Sequence, residues 1–485
     1  MVSERTIGNW IAGERREALR FFDKVSPVDG RVLWRAPRSQ AGDVQQAVAS
    51  AMTAQAAWAG TPGVARGEVL FRITDALHAR REEMARVVAL ETGKSFKEAL
   101  GETGGAIAQG RFMAGEGQRL YGRTTTSGAA NRFVATVRQP LGVAGLITAA
   151  NTPIANVAWK VFPALICGNA AVLKAAEDAP MTAELFARIA HEAGLPPGLL
   201  NVIHGFGAEA GEPLVLHSGV AVISFTGSTS VGRRIACLAG ERLAKVSLEL
   251  GGKNPFVVCD DADLDQAVHW AALSAFSNAG QRCAAASRII VFEKVYGAFR
   301  ERLLAETAAL RVGPGDGDDF GPVINRRQLD RMLAAVHGAV QRGARVLTGG
   351  RRLSGPAHRD GCYMAPTVLE DVAPEDELSR TELFGPITCL YRARDFDQAL
   401  ALANDSPYGL TACIHTRDVN RALRFTEQVQ AGVAVVNAGT YGSEPHMPFG
   451  GVKASGNGTR EPGTEALDVY ASLKDVYLNM DPAAP

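Results

Sequence analysis

The sequence predicts an α/β fold built from two consecutive, mostly parallel sheets, each covered by helices on both faces. Two observations carry this. From Val137 onward, short apolar runs alternate with helical stretches, as strands buried on both faces require. The alternation starts afresh after Gly251-Gly252, which places a second α/β domain beyond that pair. The length, 485 residues, also exceeds one ordinary core, so two or three domains are expected.

Residues 43–60 and 66–100 read as helices, with Leu70, Ile73, Leu77, Met84 and Val88 at roughly helical spacing in the second. Val143 to Ile147, Ala171 to Leu173, Leu200 to Ile203 and Val220 to Phe225 read as buried strands, with helical segments such as Met181 to Ala193 between them. Past the glycine pair, Pro255 to Cys259, Ser287 to Phe292, Arg345 to Leu347, Ile387 to Tyr391 and Val433 to Asn437 are strand-like, and 264–278, 294–310 and 325–342 are helical. Segments 122–142 and 467–480 fit neither sheet. Their alternation (Phe133, Ala135, Val137; Val469, Ala471, Leu473) suits edge strands.

The chain is 46% hydrophobic, 21% charged and balanced at 51 basic against 51 acidic residues. That balance gives no electrostatic reason for a nucleic-acid or anionic-membrane partner. No apolar run approaches a membrane span and the N-terminal residues lack a signal-like apolar core, so a cytoplasmic location is expected. Seven cysteines without a CxxC pair read as reduced thiols with no metal site.

Cys283 stands apart from the other six. It closes the polar stretch Asn278-Ala279-Gly280-Gln281-Arg282 and precedes a helix-like segment, Ala284 to Ala286, whose N–H dipoles would favour a thiolate. Glu249 sits between Leu248 and Leu250, where burial would raise its pKa and suit it to act as a base; a salt bridge at a domain junction is the competing reading. Phe225-Thr226-Gly227-Ser228 runs from a strand through a Gly-Ser turn into a helix, as a pyrophosphate site requires. The stretch Gly205 to Gly211 is a weaker candidate, one residue too long for GxGxxG.

Taken in order, Asn151, Lys174, Glu177, Gly227-Ser228, Leu248 to Lys253, Asn278 to Cys283, Glu382-Leu383-Phe384-Gly385-Pro386 and Pro448-Phe449-Gly450-Gly451 resemble the aldehyde dehydrogenase superfamily over nearly the whole chain. The resemblance implies a Rossmann-like NAD-binding domain (1–121 and 143–251), a catalytic domain (252–450) and oligomerisation segments (122–142 and 467–485). It implies that Cys283 is the nucleophile, Glu249 the base that activates hydrolytic water, and Asn151 an oxyanion donor. Lys174, Glu177, Gly207, Gly211, Phe225, Gly227, Ser228, Gly251, Glu382 and Phe384 are the expected cofactor residues, and the Glu177 carboxylate favours NAD over NADP.

On the substrate side the candidates are Trp159, Arg282, Arg111, Tyr441 and His446. Ala150 and Thr152 flank Asn151 where the family commonly has aromatic residues, which favours a small polar or anionic aldehyde. The stretch Lys453 to Glu461, one residue longer than the commonest family form, is similar to members acting on semialdehydes. A homodimer or homotetramer acting on a small-molecule aldehyde is expected. Transfer of the acyl group to coenzyme A, and a non-catalytic protein on the same fold, are the alternatives.

Overall fold

The computed structural model describes residues 6–481; residues 1–5 and 482–485, at the outer ends of the expected domain segments, lie outside the described residues. The first sheet runs in the order Lys245–Glu249, Val220–Thr226, Val143–Ile147, Ala170–Lys174, Leu200–Ile203, Asn9–Ile11, Glu14–Arg16. Its first five strands are parallel, and Val143–Ile147 and Ala170–Lys174 are buried along their whole length, which explains their unbroken apolar runs. The two N-terminal strands add on antiparallel, beyond what the sequence pattern predicts.

The second sheet runs Arg345–Thr348, Thr367–Glu370, Ile387–Ala393, Ala286–Phe292, Asn254–Val258, Thr411–His415, Val433–Val436. All its pairings are parallel except the outermost, Arg345–Thr348 on Thr367–Glu370. Ala471–Asn479, Arg132–Pro140 and Thr124–Thr125 form a separate antiparallel sheet from the segments that fit neither larger one. Phe133, Val137, Leu473 and Tyr477 are exposed on it. Among the described residues no helix is long and apolar enough to cross a membrane.

Three expectations need correction. The stretch 66–100 is not one helix but parts of three, Gly63–Ala79, Arg81–Thr92 and Phe96–Gly115. Gly93 ends the middle one in the left-handed region (φ 76°), and Ser95 caps the next by accepting from the Glu98 N–H. Val469 is not in an edge strand; it belongs to the short helix Ala466–Tyr470, whose buried Ala466, Leu467, Val469 and Tyr470 follow helical spacing. Ala284 to Ala286 is not helical either. Cys283 and Ala284 form a turn closed by the Ala285 N–H donating to the Arg282 carbonyl, and Ala286 begins a strand buried between two neighbours.

Candidate active site

Residues just past the C-terminal ends of the first sheet's strands face loops of the second across a cavity of about 810 Å³. Such strand ends are where open α/β sheets bind ligands, because βα loops and helix N-termini converge there. Cys283, Asn151, Glu249, Trp159, Glu177, Gly227, Ser228, Gly251, Glu382 and Phe384 all line it.

Cys283 is half-buried. It follows three consecutive left-handed residues, Asn278, Ala279 and Gly280 (φ 54°, 54° and 64°). Gly280 has no alternative there, since a Cβ would stand 2.1 Å from the Gly385 carbonyl oxygen. The Cys283 carbonyl is held by the Asn254 side-chain amide at 2.8 Å, which also donates to Ala285 O at 2.9 Å. The sequence suggests a field that favours the thiolate, and the structure shows the reverse. Burial pushes the Cys283 thiol up to about 12, with Glu382 and Glu249 adding to it; the Ala284 N–H and Arg282 act in the other direction. No helix begins at Ala284, so the opposition to those two carboxylates comes from the Ala284 N–H and Arg282.

Glu249 ends the strand Lys245–Glu249 and is 5% exposed, and neither carboxylate oxygen has a hydrogen-bond partner. Burial and the nearby Glu461 raise its pKa well above the carboxylate range, against the pull of Lys160 and Arg460. The salt-bridge reading therefore fails for this residue. Gly450 makes room for it, since a Cβ there would lie 2.8 Å from Glu249 Oε1.

Behind Glu249 lies a buried network that the sequence reading missed. Lys160 Nζ donates to Ser224 Oγ at 2.7 Å and to Glu461 Oε2 at 2.9 Å, and Ser224 Oγ donates to Glu461 Oε1 at 2.5 Å. Lys160 and Glu461 are fully enclosed. A signal for it existed: Lys160 interrupts the apolar run Ala158 to Phe162 as Glu249 interrupts its own.

The cofactor half of the cavity fits a dinucleotide. Ser228 precedes the helix Thr229–Gly240 without a side-chain cap, leaving first-turn N–H groups for a pyrophosphate, and Arg233, Arg327 and Arg331 line the same cavity. Backbone and side chains close in where glycine stands. A Cβ at Gly227 would meet the Phe225 ring at 2.4 Å, and one at Gly251 would meet Glu382 Oε2 at 2.2 Å. Glu382 accepts from the Gly252 N–H at 2.9 Å, and burial raises its pKa to about 7. Lys174, expected among the cofactor residues, is buried and does not itself line the cavity; it donates to Glu177 at 3.1 Å. Burial alone would raise the Glu177 carboxyl, but Lys174 and further hydrogen bonding hold it below its ordinary value.

Other expected residues lie elsewhere. Phe225 is buried behind Gly227, and the helical turn Gly207–Gly211 does not line the cavity. Arg111 is turned toward solvent, half-exposed beside Asp75 at 3.4 Å. His446 is exposed, 3.5 Å from Glu444. Arg282 stacks on the Tyr441 ring at 4.8 Å; its Nε is buried without a hydrogen-bond partner, and neither residue lines the large cavity. Trp159 packs on Phe449 at 5.5 Å, both lining the wall near Cys283. Asn156, also unanticipated, donates to Thr152 O and Oγ1 at 2.9 and 3.0 Å, so this wall carries amide and hydroxyl groups.

The profile described as the aldehyde dehydrogenase family matches residues 10–476. The chain is 37% identical to an alpha-ketoglutaric semialdehyde dehydrogenase of Bacillus subtilis, over 97% of this chain and 96% of that protein. It is 38% identical to an alpha-ketoglutarate semialdehyde dehydrogenase of Haloferax volcanii, over 97% of each. Among solved structures it is similar to a betaine aldehyde dehydrogenase from Staphylococcus aureus in complex with NAD+, with a TM-score of 0.95, 30% identity and coverage of 98% of this chain and 96% of that one.

Proposed function

This chain belongs to the aldehyde dehydrogenase family, and we propose that within it the enzyme oxidises a carboxylate-bearing semialdehyde to the free acid, using NAD+ in preference to NADP+. The observation that carries this reading is that Cys283, Asn151, Glu249 and Glu382 line one cavity, with both Glu249 oxygens free of partners.

Cys283 gives its thiol proton to solvent and adds through Sγ to the aldehyde carbon, and the oxygen becomes an alkoxide that accepts hydrogen bonds from the Asn151 amide and the Cys283 N–H. A bound nicotinamide supplies one chemistry, acceptance of a hydride from that carbon, which leaves a thioester on Cys283. Glu382 and Phe384 would hold the nicotinamide end of the cofactor, Ser228 and Gly227 its phosphates, and Lys174 and Glu177 its adenosine ribose. A carboxylate at Glu177 accepts from a free 2′-hydroxyl and repels a 2′-phosphate. Glu249 then takes a proton from water, which attacks the thioester, and Cys283 leaves as the acid forms. A base in this position directs the acyl group to water rather than to coenzyme A.

The polar wall of Thr152 and Asn156 supports a polar substrate, and the Arg282 guanidinium, one residue from the nucleophile although stacked on Tyr441 and off the large cavity, is the candidate partner for its acid group. The relatives named as alpha-ketoglutarate semialdehyde dehydrogenases support the same class. Initial rates of NADH formation with an acid-bearing semialdehyde and with a neutral aldehyde of equal chain length test it. A clear preference for the acid is expected; equal or reversed rates would sink the substrate reading.

A further inference from the structure

Apart from the Ser95 cap and Arg111, which faces solvent, the helix Phe96–Gly115 and its N-terminal approach have no role so far. Yet Lys94, Glu98 and Glu102, at four-residue spacing, reach from its N-terminal end to both loops that meet at Cys283. Lys94 Nζ donates to Glu102 Oε2 at 2.6 Å and to the Asn151 carbonyl at 2.7 Å. The two charged side chains are 4% and 6% exposed. Glu102 Oε1 accepts from the N–H groups of Ile154 and Ala155, in the first turn of the helix that Asn151 leads into. Glu98 Oε1 accepts from the Asn278 N–H at 2.9 Å.

The two loops also hold each other. Asn278 Nδ2 lies 3.2 Å from both Asn151 O and Gln281 O, and Asn151 Nδ2 donates to Gln281 O at 3.0 Å. Asn278 and Ala279 sit in the left-handed region that non-glycine residues rarely adopt, and such a loop keeps its shape only if its surroundings dictate it. A buried ion pair is a poor source of net stability, because desolvation offsets most of the attraction. The contacts of this pair go to backbone atoms on either side of the reacting carbon.

We propose that Lys94 and Glu102, with Glu98 beside them, are positioning residues that set the Asn151 amide against the nucleophile loop and so shape the oxyanion site. They act through Asn151 and Asn278 and do not touch the reacting atoms. The inference rests on the reading of Asn151 as an oxyanion donor.

The test uses full-length enzyme and an activated p-nitrophenyl ester, whose acylation of Cys283 needs the oxyanion site but no hydride transfer. Alkylation of Cys283 by iodoacetamide needs the thiol and no oxyanion, so it reports a merely structural effect. Lys94→Met is expected to slow acylation by about 10- to 100-fold, somewhat less than outright loss of one oxyanion donor. Alkylation should stay within about threefold of wild type, and the double variant with Asn151→Ala should be no slower than Asn151→Ala alone. Acylation within twofold of wild type, additive losses in the double variant, or an equal loss of alkylation would each overturn the proposal. If Lys94→Met does not fold, the isosteric Glu102→Gln carries the same comparison. An Asn151→Ala enzyme that acylates normally would instead overturn the oxyanion reading itself.

Discussion

Glu249→Gln separates the two halves of the proposed reaction. The change is isosteric, so the tight fit against Gly450 is kept and no buried group loses a partner, because the carboxylate oxygens have none. A positioned general base contributes about 10²- to 10⁴-fold, so the deacylation rate should fall by that factor, equivalent to about 3–5 kcal/mol of barrier. Acylation does not use this group. Rapid mixing with NAD+ and aldehyde should therefore still give a burst of about one NADH per site, followed by a nearly flat steady state. Stability should move the opposite way. Glu249 has a raised pKa in the folded state, so its contribution is full at low pH and is lost as pH rises through that folded value. The variant should hold its melting temperature better than wild type on the alkaline side. A burst lost together with turnover, or turnover unchanged, would refute the reasoning.

Three further predictions follow from the same geometry. Arg282→Ala should lower kcat/KM for an acid-bearing semialdehyde by about 10- to 150-fold, the worth of about 1.5–3 kcal/mol for a hydrogen bond to a charged group, and leave a neutral aldehyde nearly unchanged; equal losses on both would return Arg282 to a structural role. Glu177→Gln should raise the NADP+ to NAD+ ratio of kcat/KM by about tenfold or more, because it removes the charge that opposes a 2′-phosphate, and an unchanged ratio would contradict the cofactor assignment. Glu461→Gln removes a charge that raises the Glu249 pKa while Lys160 stays to lower it, so the rising limb of the pH profile for deacylation should shift toward acid; a shift toward alkali would mean that Glu461 does not act on Glu249 through its charge.

The central strands were legible because burial on both faces writes continuous apolar runs such as Val143 to Ile147. Thr411–His415, equally buried, escaped notice because threonine and histidine at its ends blur the run. Breaks in the 66–100 stretch escaped for another reason. A left-handed Gly93 and a Ser95 cap are local backbone events that periodicity does not register. At the site, Cys283, Glu249 and Asn151 were found by motif. Their environment was not legible, because it depends on which charges the fold brings near. Burial first, and then the carboxylates of Glu382 and Glu249, distant in sequence, raise the thiol pKa, and the helix dipole suggested by Ala284 to Ala286 is absent. Lys160–Glu461 and Lys94–Glu102 pair across 301 and 8 residues, and only the folded chain shows what either pair faces.

The most direct measurement is the mass of the enzyme quenched in acid during its first turnover with NAD+ and an acid-bearing semialdehyde. A mass increase equal to one acyl group, mapped to the peptide that carries Cys283, is the predicted result. An unmodified chain under conditions where NADH has formed, or an acyl group on another cysteine, would contradict the covalent route.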